Sequence, residues 1–320
     1  MAGAAFTIAA TRTTAMNRLT TPSRRTFCRT LLAGTAAFSA GPGILAADRK
    51  PPQRFPLIAF AKPFQKLGDA DCADLVAEIG WDGIECPIRP KGQIEPEASP
   101  DRIPELVAAL KKRGLRIHLA ATGINSIRTP HAERQLRAMA QAGIKRYRMA
   151  YWRYRDDQPI EKLHAEIRAE LKDLAALNRE LGLQAGYQNH SGSNFVGAPV
   201  WDMHNLLKDF DARDLGHIFD IGHATLEGGY SWPIEARLVQ SHLTAVYVKD
   251  FKWAKTEKRG WRGEWCPLGQ GMVNRKFFTN LKKSGYAGPI SQHHEYELPD
   301  QPRMVKAMKE DLKVLQGWLA

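Results

Sequence analysis

Side chains that could transfer protons or hold a metal ion follow several short apolar runs of this sequence. Such runs are followed by Lys62, by the triplet Gln188-Asn189-His190, by Asp220 with His223, and by Lys249-Asp250, while others carry Glu85, His293 and Glu295. Histidine, carboxylate and lysine groups are the usual acids, bases and ligands of enzyme sites. Burying so many ionisable side chains close together is costly unless they are paired, bound to metal or used in chemistry. The spacing therefore predicts an active site.

The elements that must position these residues alternate in type along the chain. Helical stretches, of which the face Leu163, Ile167, Leu171 and Leu174 is the clearest, separate short apolar runs that predict strands. The eight predicted strands cover residues 55–61, 83–88, 116–121, 146–151, 184–189, 217–221, 245–248 and 289–293. Eight strand–helix repeats in about 270 residues favour a closed parallel barrel, a single α/β (β/α)8 TIM barrel, over an open sheet. In that fold the carboxyl ends of the strands carry the chemistry.

Strand periodicity orders the polar residues further. Gln188 and His190 share one face of their strand, and His293 and Glu295 share another, whereas His294 points toward the helices. No GxGxxG or Walker sequence opens a helix, so a nucleotide-binding fold has no support.

The first 47 residues have the pattern of an export signal. Arg24-Arg25 precede the apolar run Leu31–Phe38, and small residues continue to Ala47. This pattern predicts a twin-arginine signal peptide over 1–47, a short linker over 48–54 and the barrel over 55–320. The apolar run is too short to span a bilayer, so we expect an exported, periplasmic protein with no transmembrane span after cleavage.

The positive charge of the chain is spread out. The formal net charge is +12, but the most basic stretch, residues 249–262, is interleaved with acids and tryptophans. The absence of a basic stripe argues against nucleic acid as a partner. The three cysteines after residue 47, at 72, 86 and 266, show no CxxC spacing and predict no disulfide framework.

Five segments together resemble the xylose isomerase-like TIM barrel proteins, also called sugar phosphate isomerases/epimerases. They are YQNHSG (187–192), FDIGHA (219–224), VYVKDFKW (246–253), PLGQGM (267–272) and GPISQHHEY (288–296). The resemblance runs from about residue 55 to the end of the chain. It implies a small-molecule carbohydrate as partner and assembly into homo-oligomers, as in related barrels.

The resemblance also implies a divalent-metal site with an altered ligand set. Studied members bind one metal through Glu, Asp, His and Glu on strands 5 to 8, and these positions correspond to Gln188, Asp220, Tyr247 and His293. Only Asp220 keeps the family's residue. Asp220, His293 and Gln188 with waters are the predicted metal ligands, and Mn²⁺, Zn²⁺, Co²⁺ or Mg²⁺ is the implied ion.

The missing glutamates change the expected proton transfer. Gln188 cannot act as a base, so Glu295 or His190 is the predicted proton-transfer group. A salt bridge from Glu295 to Lys249 or Lys62 is the alternative role of that glutamate. His223 is the third predicted catalytic residue, because the resemblance places it where relatives with the same DxGH pattern have a histidine that contacts substrate. The predicted substrate contacts are Lys62, Glu85, Lys249, Asp250 and Trp253.

The resulting expectation is an exported isomerase- or epimerase-like enzyme of carbohydrate metabolism. It would abstract a proton next to the carbonyl of a sugar or keto-sugar derivative, with a metal assisting where one binds. Two alternatives stay open: a keto-glycoside lyase or hydrolase on the same barrel, and a non-catalytic carbohydrate-binding barrel. The DNA-repair endonuclease branch fits poorly with a glutamine on strand 5, a tyrosine on strand 7 and an export signal.

Overall fold

A computed structural model describes residues 55–258 and 260–320 of the chain. The predicted signal peptide (1–47) and linker (48–54) lie outside the described residues. Within the described ranges, no helix is both long enough and apolar enough to cross a membrane.

Eight parallel strands close into a barrel, which confirms the predicted (β/α)8 fold. Around the barrel the strand order is β1-β10-β7-β6-β5-β4-β3-β2, and every neighbouring pair is parallel. The barrel strands are β1 (Leu57–Phe60), β2 (Gly83–Ile88), β3 (Arg116–Thr122), β4 (Arg146–Arg148), β5 (Gln184–Gln188), β6 (Leu215–Asp220), β7 (Leu243–Val248) and β10 (Ile290–Gln292).

Helices follow the strands and form the outer layer. They are α1 (Asp69–Ile79), α2 (Ser99–Lys111), α3 (Ala132–Gln141), α4 (Ile160–Leu181), α5 (Val200–Leu207), α6 (Ile221–Gly228), α7 (Trp232–Val239), α8 (Lys276–Lys283) and α9 (Gln301–Leu319). Strand residues such as Ile84 and Phe219 pack with helix residues such as Leu106 and Leu171 in one large core. This layer of apolar contacts is the main stabilising feature of such a fold.

A second, smaller core belongs to the barrel strands alone. Ile58, Leu119, Ile218, Ala245 and Tyr247 pack together and are fully buried. Side chains of alternate strands fill the interior of such barrels in layers, so the interior is packed and the open space lies at the strand ends.

The structure contains a hairpin that the sequence did not predict. Strands β8 (Asp250–Thr256) and β9 (Gly260–Cys266) pair antiparallel directly after β7. The sequence places them in the basic, tryptophan-rich stretch, whose largely exposed side chains give no buried apolar run. The hairpin lies at the carboxyl end of β7 and brings Trp265 to the site described next.

Candidate active site

A small cavity of about 130 Å³ opens at the carboxyl ends of the barrel strands. Its walls combine cationic, anionic and aromatic side chains: Phe60, Lys62, Arg89, Arg148, Tyr151, Gln188, His190, Lys249, His293 and Glu295. A cavity with convergent polar groups at this end of the barrel is where the fold places catalysis.

Lys249, which follows β7, is the centre of the polar network. Its Nζ lies 3.0 Å from Glu295 Oε1 and 3.3 Å from Asp220 Oδ2, and 4.7 Å above the Trp265 ring. Burial alone would lower the pKa of Lys249, but the Asp220 and Glu295 carboxylates raise it above its ordinary value. The side chain is therefore a buried ammonium ion held between two carboxylates.

Asp220 both ends β6 and caps α6. Its Oδ1 accepts the backbone N–H of His223 at 3.1 Å, as an aspartate at a helix N-cap commonly does. Its Oδ2 accepts Gln188 Nε2 at 2.7 Å, and its backbone is bound on both sides by the amide of Asn189. The carboxylate is thus fixed in place by β5, α6 and Lys249.

Glu85 and His293 form a second ion pair deeper in the barrel. Glu85 accepts hydrogen bonds from the hydroxyls of Tyr247 and Ser291, and its Oε2 lies 2.9 Å from His293 Nε2. Burial opposes charging of both groups, but each holds the other ionised: the pKa of Glu85 is lowered and that of His293 is raised. His293 Nδ1 also lies 3.6 Å from Glu295 Oε1, which links this pair to Lys249.

The carboxylate of Glu295 is kept ionised by these cations. Burial opposes ionisation, but Lys249 and His293 hold the pKa of Glu295 far below its ordinary value. The side chain lies at the mouth of the cavity and is a quarter exposed.

His190 presents a free ring nitrogen to the cavity. Its Nδ1 lies 2.9 Å from the carbonyl oxygen of Ser191, which can only accept, so Nδ1 carries the hydrogen and Nε2 has the lone pair. Burial and the Lys249 charge lower the pKa of His190 to about 4, which keeps the ring neutral near pH 7. The ring stacks on Phe195 at 4.4 Å and lies 4.1 Å from the ring of His223. These contacts fix a neutral imidazole base at the cavity.

His223 lies beside His190, with their rings 4.1 Å apart, and is not among the described residues that line the cavity. Its Nδ1 is 2.8 Å from Ser191 Oγ, and burial together with Lys249 lowers its pKa well below the ordinary value. We therefore assign His223 a supporting position beside His190.

The predicted substrate contacts separate into two groups. Lys62 and Lys249 line the cavity, and Glu85 lies beneath it. Asp250 faces elsewhere: its carboxylate accepts the backbone N–H groups of Phe251, Gly269, Gly271 and Val273 at 2.9–3.0 Å. Trp253 is 46% exposed on β8, and neither residue is among the described residues that line the cavity.

Sequence reasoning missed four residues of the cavity wall: Phe60, Arg89, Arg148 and Tyr151. Arg148 ends β4, where its Nη1 donates to the Tyr151 hydroxyl at 2.5 Å, and that hydroxyl in turn donates to Gln188 Oε1. A signal was present, because an arginine inside a buried strand is as unusual as the acids of neighbouring strands.

The predicted metal ligands do not fit a divalent ion. The Gln188 amide nitrogen, which cannot bind metal, faces Asp220, and Lys249 Nζ lies against the same carboxylate. Both ring nitrogens of His293 are directed at glutamates. Among the described residues no group of three or more His, Cys, Asp or Glu side chains is arranged to hold a metal. The carboxylates of Asp220 and Glu295 instead balance the single positive charge of Lys249.

Comparison with known proteins adds a family match and a fold. A family model described as "Xylose isomerase-like TIM barrel" matches residues 73–318. An uncharacterized protein of Methanocaldococcus jannaschii is 25% identical over 152 residues, 47% of this chain and 50% of that protein. The chain thus matches only about half the length of this relative.

Two solved structures illustrate the likeness in fold. The 3-keto-D-glucoside 4-epimerase YcjR from E. coli has a TM-score of 0.65 at 17% identity, covering 82% of this chain and 99% of that one. The probable 3-DHS dehydratase AsbF from Bacillus anthracis has a TM-score of 0.65 at 14% identity, covering 82% and 98%. At these identities the likeness shows the fold alone.

Proposed function

The chain belongs to the xylose isomerase-like TIM barrel family, and from this premise we propose that it is an enzyme that abstracts a proton next to the carbonyl of a sugar or keto-sugar derivative. The observation that carries the proposal is the pairing of a neutral imidazole, His190, with a buried ammonium ion, Lys249, at one cavity. Solved structures of similar fold include a 3-keto-D-glucoside 4-epimerase and a probable 3-DHS dehydratase, and a carbanion next to a carbonyl can lead either to epimerisation or to loss of water.

The first step belongs to His190. Its Nε2 lone pair takes the proton as the carbon–hydrogen bond breaks. The electron pair of that bond forms the new carbon–carbon double bond, and the π electrons of the carbonyl group move onto its oxygen to give an enolate. Neutral imidazole at pH 7 is already in the form that a general base needs.

Lys249 stabilises the enolate. A positive charge beside the carbonyl oxygen lowers the energy of the negative charge that develops there, and in a buried site this effect is large. Asp220 and Glu295 hold the ammonium in place, so little reorganisation accompanies the reaction. The lysine thereby supplies the positive charge that a divalent ion supplies in the studied relatives.

Return of a proton determines the product. His190 follows β5 and Glu295 follows β10, with β6 and β7 between them in the barrel. Glu295 itself is ionised and has no proton to give, so delivery to the same carbon from that side by the neighbouring His293 cation would epimerise it, and delivery to the neighbouring carbon by the protonated His190 would isomerise the sugar.

An elimination is the second candidate. Protonation of a hydroxyl on the carbon next to the carbanion would release water, and the buried cations Lys249 and His293 are suitable acids. The two outcomes share the first step and differ only in where the second proton goes.

The test is a panel of aldo-sugars, keto-sugars, 3-keto glycosides and their acids, incubated with the purified protein after EDTA treatment. We expect at least one member to be isomerised, epimerised or dehydrated at a rate unchanged by the chelator, because Lys249 replaces the metal. Products are identified by NMR. No conversion of any member with or without added metals would contradict an enzymatic role, and unimpaired binding without turnover would favour a carbohydrate-binding barrel.

A further inference from the structure

The guanidinium of Arg148 is buried beside the cavity without an ionic partner. The residue is 4% exposed, its Nη1 donates to Tyr151, and its Nε makes no hydrogen bond. In the described part of the chain, no carboxylate oxygen lies within 4.0 Å of this guanidinium. Isolated buried charges are costly, and proteins keep them paired, metal-bound or in use.

The acids nearest to Arg148 are already committed elsewhere. Glu85 accepts from Tyr247 and Ser291 and pairs with His293. Asp220 and Glu295 share Lys249. Burial opposes the charge of Arg148, but Glu85 stabilises that charge from a distance and helps to raise the pKa of Arg148. No acid of the described residues makes an ion pair with its guanidinium, which is left for a group that enters the cavity.

Arg89 adds a second cation to the same wall. It follows β2, is half-buried, and lies with its guanidinium carbon 5.7 Å from the centre of the Phe60 ring. Burial and the Arg148 charge both lower the pKa of Arg89, so the two guanidinium groups repel each other in the free protein. Arg89 makes no ion pair with the described residues, and exposed Lys62 adds a third cation on the same wall.

We propose that Arg148 and Arg89 form an oxyanion subsite, so that the substrate of the proposed reaction carries a carboxylate or phosphate group. Guanidinium groups bind both through paired N–H donors, and binding there would relieve the repulsion between the two arginines. This inference rests on the proposed function for the reaction at the carbons next to the anion. Binding of an anion by the two arginines does not depend on that reaction.

The subsite lies close to the reacting groups. Tyr151 connects Arg148 to Gln188, and the Tyr151 ring is 5.1 Å from the ring of His190. An anion held by the arginines would orient the adjoining carbons toward His190 and Lys249. Such anchoring outside the reacting bond is a common means of orienting a substrate.

The experiment measures binding by isothermal titration and thermal shift with five probes. D-glucuronate and glucose 6-phosphate carry the two anions on one sugar, glucose is the neutral match, and formate and inorganic phosphate are the bare anions. We expect anionic probes to bind and glucose to bind at least tenfold more weakly. Tighter binding of glucuronate than of glucose 6-phosphate, and of formate than of inorganic phosphate, identifies a carboxylate. The opposite order of affinities identifies a phosphate.

Variants locate the binding. Arg148→Met and Arg89→Met should each weaken anion binding about tenfold or more, whereas Arg113→Met, on the outer surface with Asp74, should not. Because Arg89 is only half-buried, the Arg89→Met variant tests the subsite if Arg148→Met does not fold. Equal binding of glucose and glucuronate, unchanged binding in the arginine variants, or no anion binding by folded wild type would each overturn the proposal. Failure of turnover with intact anion binding would count against the proposed reaction alone.

Discussion

Lys249 changes the charge balance of the site relative to the metal-binding pattern of this family. That pattern surrounds one divalent ion with two glutamates, an aspartate and a histidine, whereas here Asp220 and Glu295 surround one ammonium ion. By the resemblance in sequence, Gln188 and His293 correspond to the two glutamates of that pattern. The smaller number of carboxylates agrees with the presence of a buried lysine, because an ammonium ion needs fewer negative charges to balance it than a divalent metal ion does.

Asp311 provides a residue-scale prediction about stability. It accepts the Leu268 N–H at 3.0 Å and the Tyr296 hydroxyl at 2.8 Å, and burial raises its pKa from 3.8 to about 6. A carboxyl whose pKa is raised on folding stabilises the protein below pH 4, and that contribution is lost as the pH rises through about 6. Relative to Asp311→Asn, the wild type should lose about 2 kcal/mol of unfolding free energy between pH 4 and pH 7.

Urea unfolding of both proteins across this pH range is the measurement. The asparagine keeps an acceptor for Leu268 and removes the titration. A stability difference that stays constant with pH, or that grows in favour of the wild type as pH rises, would contradict the burial argument for Asp311.

The hairpin and the loop after it are organised by Asp250. This carboxylate at the start of β8 accepts four backbone N–H groups, three of them from residues 269–273. Gly271 passes so close that a Cβ there would lie 2.2 Å from Phe251 O and 2.3 Å from Asp250 Oδ1. The hairpin also carries Trp265 to its position against Lys249.

Gly271→Ala should therefore destabilise the protein by about 1–3 kcal/mol, the usual cost of overpacking. The matched control is Gly317→Ala in α9, where a Cβ would meet nothing within 4 Å and where alanine favours the helix by up to about 1 kcal/mol. Thermal unfolding of both variants is the readout. Equal melting temperatures would mean that the loop does not depend on this close approach.

Most elements of the barrel could be predicted from local sequence. Strand β2 has the predicted ends, and Gly182 after α4 has φ 64°, the left-handed conformation that glycine commonly adopts where a helix ends. The hairpin was missed because its residues are largely exposed, which removes the apolar run that marks a strand. Arg148 carried a local signal, as an arginine inside a buried strand, but its role depends on the acids of other strands being paired elsewhere, which the sequence of one strand does not show.

At the scale of the whole molecule, barrel closure assembles the site. Phe60 and Glu295 are distant in sequence, yet β1 pairs with β10 and places both at one cavity. The acids, the lysine and the arginines come from β2, β4, β6, β7 and β10 or from the residues just after them. Only the closed sheet therefore brings the buried cations into one network.

Export remains a prediction for the full chain. A twin-arginine signal is recognised through its pair of arginines, so the prediction implies that replacing both Arg24 and Arg25 with lysine blocks passage out of the cytoplasm while leaving the barrel unchanged. Cell fractionation of the native and Arg24→Lys/Arg25→Lys chains, with Arg12→Lys as control, measures this. Equal export of all three chains would contradict a twin-arginine signal at this position.

The central claim is proton abstraction by His190 with Lys249 as the stabilising cation, and deuterium exchange tests it most directly. EDTA-treated protein is incubated in deuterium oxide with keto-sugars and keto-sugar acids, and NMR follows exchange at the carbon next to the carbonyl. We predict exchange by the wild type, a loss of about 10²–10⁴-fold in His190→Gln, and a loss of about 10²–10³-fold in Lys249→Met. Absence of exchange across the panel, exchange that both variants retain, or exchange that appears only when a divalent metal is added would contradict the account.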